Sequence, residues 1–224
     1  MPEGEPAPYV FKDFPHSSHR VLLAWVPERP CRILDVGASE GYLGRALADR
    51  GHFVVGLERD PAAAGRAARH YAAFHQGDLE SLASLPEAPF DCIVAADVLE
   101  HLIDPAAALA KLARWRAPGG SLLLSVPNVA FLLVRLGLLT GRFTYRPRGI
   151  LDVTHLRFFT RRTLGEMVRG AGLGVRRHAA VPPPLPLLSG RFGRWPLRAL
   201  LEGGALAART WPGLFAYQLL VEVA

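Results

Sequence analysis

Short apolar runs alternate with helix-patterned stretches through the first half of this chain, and that alternation limits the folds open to it. The spacing predicts strands over Arg32–Val36, 53–57, 74–76, Phe90–Ala96 and 121–126. Between them it predicts a helix over 42–50 stopped by Gly51, a second opened by Asp60-Pro61, and a third running from Asp104-Pro105 to Arg116. Aspartate followed by proline starts a helix well, because the carboxylate caps free amides and proline suits the first helical position. Pro118-Gly119-Gly120 should turn the chain into the fifth strand. Strands joined by helices over short loops build a parallel sheet covered on both faces, with right-handed crossovers.

The rhythm breaks at 128–159, an insertion that precedes a helix predicted over 160–172. Residues 173–181 and 215–223 read as two closing strands, with a helix over 195–209, weakened at Gly203-Gly204, between them. The expected architecture is a single α/β domain over 1–224. Its sheet is seven-stranded, doubly wound and mostly parallel, with the last strand antiparallel and a helical lid inserted. A cap helix in 16–30 precedes the sheet, and a Pro-rich connector and helix fill 182–213.

Composition narrows the partners. Only Lys12 and Lys111 are lysines, and seven arginines (135, 142, 146, 148, 157, 161, 162) stand against the single acid Asp152 in the late insertion. Cys31 and Cys92 fall at predicted strands, outside any C-x-x-C or metal-spaced pattern, so buried reduced thiols in a cytoplasmic protein are expected, and no metal. The acidic, proline-containing start lacks the basic-then-apolar order of a leader peptide. The longest apolar stretch, 129–139, is short and interrupted by Arg135, so no transmembrane helix is expected.

In open parallel sheets, ligands bind beyond the carboxyl ends of the strands. Gly37, Ala38, Ser39 and Gly41 follow strand one, and Glu58 ends strand two, 21 residues after Gly37. A carboxylate there can accept both hydroxyls of a ribose, and Asp78-Leu79 after strand three can meet an adenine. A dinucleotide fits less well: Ser39 and Tyr42 stand where the G-x-G-x-x-G fingerprint needs small residues, and Asp35 and Glu40 bring carboxylates towards a pyrophosphate. A cationic sulfonium with an ammonium group tolerates those acids better, which favours S-adenosylmethionine over NAD.

These segments resemble the class I S-adenosylmethionine-dependent methyltransferases. Residues 33–41 resemble the family's first motif, Glu58 its ribose-binding acid and Asp78 its adenine-side acid. Residues 97–105 (Asp-Val-Leu-Glu-His-Leu-Ile-Asp-Pro) resemble the motif after strand four in the branch with ubiquinone-pathway O-methyltransferases, and residues 152–160 resemble methyltransferases associated with surface-glycan assembly. One departure is Ser39, where most relatives carry glycine. The resemblance implies a cofactor-side set of Asp35, Gly37, Ala38, Ser39, Gly41, Glu58, Arg59, Asp78, Leu79 and Asp97, with S-adenosylhomocysteine as product.

On the acceptor side two histidines compete for the part of base. His155 lies in the insertion near Asp152 and Arg157, where it either removes a hydroxyl proton or ties the lid down. His101, four residues after Asp97, either acts as a base or only shapes a helix entry. Arg157, Arg146 and Asp152 are the candidate acceptor-binding residues, since arginines hold phosphate or carboxylate in bidentate geometry. The expected reaction is O-methylation of a small anionic or sugar-linked acceptor. Rival readings are a quinone-precursor or small-metabolite O-methyltransferase, a non-catalytic cofactor-binding partner, and an NAD-dependent oxidoreductase. Arginines interleaved with Leu132, Leu133, Leu136, Leu138 and Leu139 also suit peripheral contact with acidic lipid; nucleic acid is disfavoured, and the oligomeric state is left open.

Overall fold

The computed structural model describes residues 11–184 and 194–224. Leu185 and Pro186 of the Pro-rich connector lie outside the described residues. The strands are β1 (Arg32–Val36), β2 (Phe53–Glu58), β3 (Ala73–Gln76), β4 (Phe90–Ala96), β5 (Arg116–Pro127), β6 (Val175–Val181) and β7 (Gln218–Val223). They form one sheet in the order β3-β2-β1-β4-β5-β7-β6, parallel throughout except for β7, which runs antiparallel to β5 and β6. The helices are α1 (Ser18–Trp25), α2 (Tyr42–Ala48), α3 (Pro61–Ala67), α4 (Pro105–Trp115), α5 (Leu132–Leu139), α6 (Arg161–Gly170), α7 (Arg194–Thr210) and α8 (Pro212–Phe215). The seven-stranded architecture expected from the alternating pattern is therefore present.

Both sheet faces are covered, which is why the central strands are nearly continuous apolar runs. Leu34, Val36 and Ile93 face one buried layer with Leu109, Leu112 and Val168. Ile33, Cys92 and Val94 face the other, with Leu22, Leu43 and Leu47. Both cysteines are free and buried, and burial pushes the Cys92 thiol up to about 12, which makes it inert as a nucleophile.

Capping follows the residues that announce it. The Asp60 carboxylate accepts from the amides of Ala62 and Ala63, and Asp104 accepts from Ala107. One local expectation is corrected. Pro118-Gly119-Gly120 does not turn the chain into β5 but lies within it as an irregularity: pairing jumps from Phe90↔Arg116 to Cys92↔Ser121, and Gly119 takes φ +77°. The helix expected over 195–209 is present as α7 and continues through Gly203-Gly204, with Leu201, Ala205 and Ala208 burying one stripe of it.

The order of strands puts the crossover switch between β1 and β4, so the loops after β1, β2 and β4 meet at one edge. The insertion 128–159 rises from the same edge. Its base is tied down by Asn128, whose amide nitrogen donates to Tyr217 O (2.9 Å) and whose side chain donates to Ala216 O (2.8 Å). Within it α5 buries no residue fully, and Leu133, Leu136 and Leu139 stay exposed.

Candidate active site

The loop after β1 is held in a shape that most side chains resist. Gly37, Ser39 and Gly41 have φ of +70°, +47° and +79°. A β-carbon on Gly37 would sit 2.7 Å from Val98 Cγ2, so glycine is required there for space as well as for backbone. The amides of Gly37 and Ala38 both donate to Leu57 O, at 2.8 and 3.1 Å, which ties the loop to β2. Ser39 N donates to Glu58 Oε2 at 2.8 Å, and Asp60 N donates to Glu58 Oε1 at 2.9 Å. Each carboxylate oxygen thus has one amide partner and keeps acceptor capacity for a hydroxyl. A rigid loop with a diol-accepting carboxylate beside it fits an adenosine cofactor.

Other cofactor-side candidates fall differently. Asp35 is 2% exposed and lies beneath Tyr71, whose hydroxyl donates to Oδ2 at 2.7 Å. Burial pushes its carboxyl up to about 7, and the bonds from Tyr71 and the Gly44 backbone only partly offset that. So placed, Asp35 is held by the Tyr71 hydroxyl and the Gly44 backbone. Glu40 is held bidentately by Arg66 at 2.8 and 2.7 Å, so its charge, counted above against a pyrophosphate, is already compensated. Asp78 Oδ1 accepts from Glu80 N, and the Leu79 side chain is buried in the core. Arg59 is exposed, and its charge reaches His101.

Asp97 ends β4 at φ +56°, a left-handed conformation that costs a non-glycine residue about 1 kcal/mol. It is pinned there: the Ser125 hydroxyl donates to Oδ1 at 2.6 Å, the Gln218 amide donates to both oxygens at 2.7 and 2.6 Å, and Lys12 Nζ reaches Oδ2 at 3.3 Å. Burial raises its carboxyl, but the Lys12 ammonium and the Ser125 bond outweigh that and hold it below the usual value. His19 stands nearby with its imidazole pushed down to about 4 by burial and by Lys12. Sequence reasoning missed Lys12, His19, Ser125, Gln218 and Tyr71. They come from five separate segments, and no local motif announces any of them.

The acceptor-side candidates converge. Segment 150–158 folds onto the short turn Leu99–His101, where Glu100 O accepts from the amides of Leu156 (2.8 Å) and Arg157 (3.0 Å). The His101 and His155 rings pack edge to face, centroids 4.8 Å apart. His155 Nδ1 donates to Ile150 O at 3.0 Å, and His101 Nδ1 lies 3.2 Å from both the carbonyl and the hydroxyl of Thr154. Beside them Glu100 is 1% exposed, and neither of its carboxylate oxygens has a hydrogen-bond partner. Burial, and then the Asp97 charge, push its carboxyl well above the ordinary value. Ligand atoms of Glu100, His101 and His155 lie within 4.8 Å of one another, a set able to hold a metal where the sequence suggested none.

Asp152 is buried and accepts from the Thr154 amide (2.8 Å) and hydroxyl (2.7 Å), so it braces the histidine loop from behind. The Arg157 guanidinium binds the carbonyls of Ile103 and Leu156, latching the insertion to the turn, and Arg146 is exposed in a bridge to Asp152. Neither arginine is placed among the histidines.

Residues 9–178 match the family described as methyltransferase domain. The ubiquinone biosynthesis O-methyltransferase of Aeromonas salmonicida is 30% identical over 184 residues, covering 74% of each chain. Its counterpart in Aromatoleum aromaticum is 29% identical over 170 residues, covering 70% of this chain and 72% of that one. The crystal structure of an S-adenosylmethionine dependent methyltransferase from Mesorhizobium loti superposes with a TM-score of 0.62 at 18% identity, covering 91% of this chain and 95% of that one. The chain belongs to the class I S-adenosylmethionine-dependent methyltransferases.

For this methyltransferase the nicotinamide reading falls away. When bound, the cofactor supplies an electrophilic methyl carbon and a thioether leaving group. The residues described above fit it through the Glu58 carboxylate and the glycine-shaped loop. No helix among the described residues is long and apolar enough to cross a membrane. At the rim of the same edge lies a cleft of about 480 Å³ between α5, α6 and α8, lined by Arg135, Arg161, Arg162, Arg169 and Thr160. Glu166 pairs with Arg162 at 2.8 Å, and Arg135 donates to backbone carbonyls of Ala130 and Gly213.

Proposed function

We propose that this methyltransferase transfers its methyl group to a hydroxyl of a small anionic acceptor, with a sugar derivative or other phosphorylated or carboxylated metabolite as the leading class. The observation that carries the reading is the Glu100–His101–His155 cluster at the strand ends. Both imidazoles have Nδ1 engaged by the backbone, which leaves Nε2 as the nitrogen with a free lone pair. Burial, and then the neighbouring His155, depress the His101 imidazole, so it is neutral at physiological pH. The neutral His101 imidazole, with His155 and an uncompensated carboxyl beside it, is suited to accepting a hydroxyl proton, which an amine or thiolate acceptor would not need to lose.

The anionic character of the acceptor rests on the arginine-lined rim. Four guanidinium groups around one cleft favour a phosphate or carboxylate. In this reading Glu58 and the loop over Gly37, Ala38, Ser39 and Gly41 hold the cofactor, Asp97 fixes the turn between the two halves, and segment 150–158 closes over the acceptor. Catalysis is chiefly alignment for in-line displacement. A cytoplasmic location accords with this chemistry.

A second reading is favoured by the relatives' names: methylation of a quinone precursor. Phe143, Tyr145 and Phe158, stacked edge to face at 5.5–5.7 Å, offer it an aromatic wall. Methyl-labelled cofactor assayed against phosphorylated or carboxylated sugars, neutral sugars and polyphenols separates the two. Labelling of the anionic hydroxyl compounds and not of their neutral counterparts supports the proposal, whereas labelling confined to catechols favours the second reading. Product formed only on amines or thiols refutes both.

A further inference from the structure

We propose that Glu100, His101 and His155 bind one divalent transition-metal ion that holds and activates the acceptor hydroxyl. The inference rests on the hydroxyl-methylation reading for the ion's purpose, but the site itself rests on geometry alone. Glu100 is a carboxylate at 1% exposure with both oxygens unpartnered, whereas buried polar groups are almost always satisfied. One donor atom from each of Glu100, His101 and His155 lies within 4.8 Å of the others.

The imidazoles are oriented as metal-bound histidines usually are, with one nitrogen anchored to a backbone carbonyl and the other left bare. His155 is anchored on Ile150 and His101 on Thr154. Behind them Asp152 fixes Thr154 through two hydrogen bonds, which makes a further layer of support for His101. Asp97, the other acid in the motif, is not a ligand, because Lys12, Ser125 and Gln218 already occupy it.

The donor set selects the ion. Two nitrogens and one carboxylate suit zinc, manganese or iron(II) better than magnesium or calcium, which prefer oxygen alone. Three protein ligands leave coordination positions for the acceptor oxygen and water. Ligand atoms around a tetrahedral ion at about 2.1 Å are about 3.4 Å apart, so binding draws the side chains inward by at most about 1 Å. With the ion on Nε2 those lone pairs no longer serve as proton acceptors; the ion takes over that part, because a hydroxyl bound to it loses its proton to solvent more readily. Its oxygen then forms a bond to the methyl carbon as the carbon–sulfur bond breaks, and the electron pair leaves on sulfur as a neutral thioether.

The test titrates cobalt(II) and zinc into chelator-stripped full-length protein, read by visible absorption for cobalt and by calorimetry for both. One ion per chain is expected. Glu100→Gln and His155→Gln, which nearly preserve side-chain size, should each weaken binding about 100-fold. S-adenosylhomocysteine binding, measured in parallel, should be unchanged in both variants and so report that they fold. Failure of wild-type protein to bind cobalt, zinc or manganese would overturn the site. Binding at wild-type affinity in both variants would overturn it equally, by placing the ion elsewhere. The titration uses neither cofactor nor acceptor. Failure of the methyl-transfer reading would therefore register separately, as absent S-adenosylhomocysteine binding.

Discussion

Replacing Asp35 with asparagine should remove a pH-dependent weakness from the fold. The carboxyl lies buried between β1 and Tyr71, and burial pushes it from an ordinary 3.8 to about 7. It is therefore protonated in the folded protein under conditions where the unfolded chain has already released that proton. Folded protein binds more protons across this window, so stability falls as pH rises from about 4 to about 7 and is flat with respect to this group beyond. A difference of about 3 pH units at 1.36 kcal/mol each is about 4 kcal/mol, a large share of a typical domain's stability. Asparagine is isosteric, stays neutral, and keeps an acceptor for the Tyr71 hydroxyl. Urea denaturation of both proteins at intervals between about pH 4 and pH 8 reads the effect as a difference, which cancels titrations elsewhere in the chain. The stability of Asp35→Asn relative to wild type should improve by about 4 kcal/mol across that interval. A difference that stays constant with pH would refute the reasoning, since it would mean that Asp35 ionises normally in the fold.

Three further outcomes follow from the same geometry. Gly44→Ala places a β-carbon 2.1 Å from the Tyr71 ring, so it should destabilise by about 2–3 kcal/mol in thermal or urea unfolding, and Tyr71→Leu in the same chain should recover part of that loss. Glu58→Ala removes the acceptor for Ser39 N and Asp60 N as well as the diol contact, so calorimetry should show S-adenosylhomocysteine affinity weakened about tenfold or more, with the fold intact by circular dichroism. Lys12→Met strips Asp97 of its ammonium partner and should lower stability by about 1–2 kcal/mol near neutral pH. Because the Asp97 carboxyl is held below its usual value, that contribution is present at neutral pH and lost on acidification, so the two proteins should converge in acid.

The sheet was legible because its signals are local. The central parallel strands β1, β2 and β4 are largely apolar runs, and two helix starts carry their own caps, Asp60-Pro61 and Asp104-Pro105. Gly37 and Glu58 were legible for the same reason, since a βα turn and a strand end are read from neighbouring residues. Asp35 was visible as a strand acid, but its bond to Tyr71 depends on how 35 intervening residues pack, and periodicity does not encode that. The Asp97 cage is less local still: Lys12 and Gln218 stand 85 and 121 residues away in sequence and are brought in by an N-terminal segment and an antiparallel last strand.

The arginines of the insertion show how far a charge count can mislead and where it holds. Arg157 stood out by its place beside His155, yet its guanidinium binds the backbone of Ile103 and Leu156, so its part is to keep the insertion folded over Glu100. Arg135 also binds carbonyls, but at the mouth of the cleft, where it shares the lining with Arg161, Arg162 and Arg169. Among the described residues, only Arg162 of those four has a carboxylate partner within salt-bridge reach. Clustered guanidinium groups repel one another unless an anion lies between them, so under the anionic-acceptor proposal the cleft, and not the insertion as a whole, is where the acid group would sit. Substituting Arg161 and Arg169 should therefore raise the acceptor's KM with cofactor affinity unchanged, whereas substituting Arg157 should loosen the insertion itself.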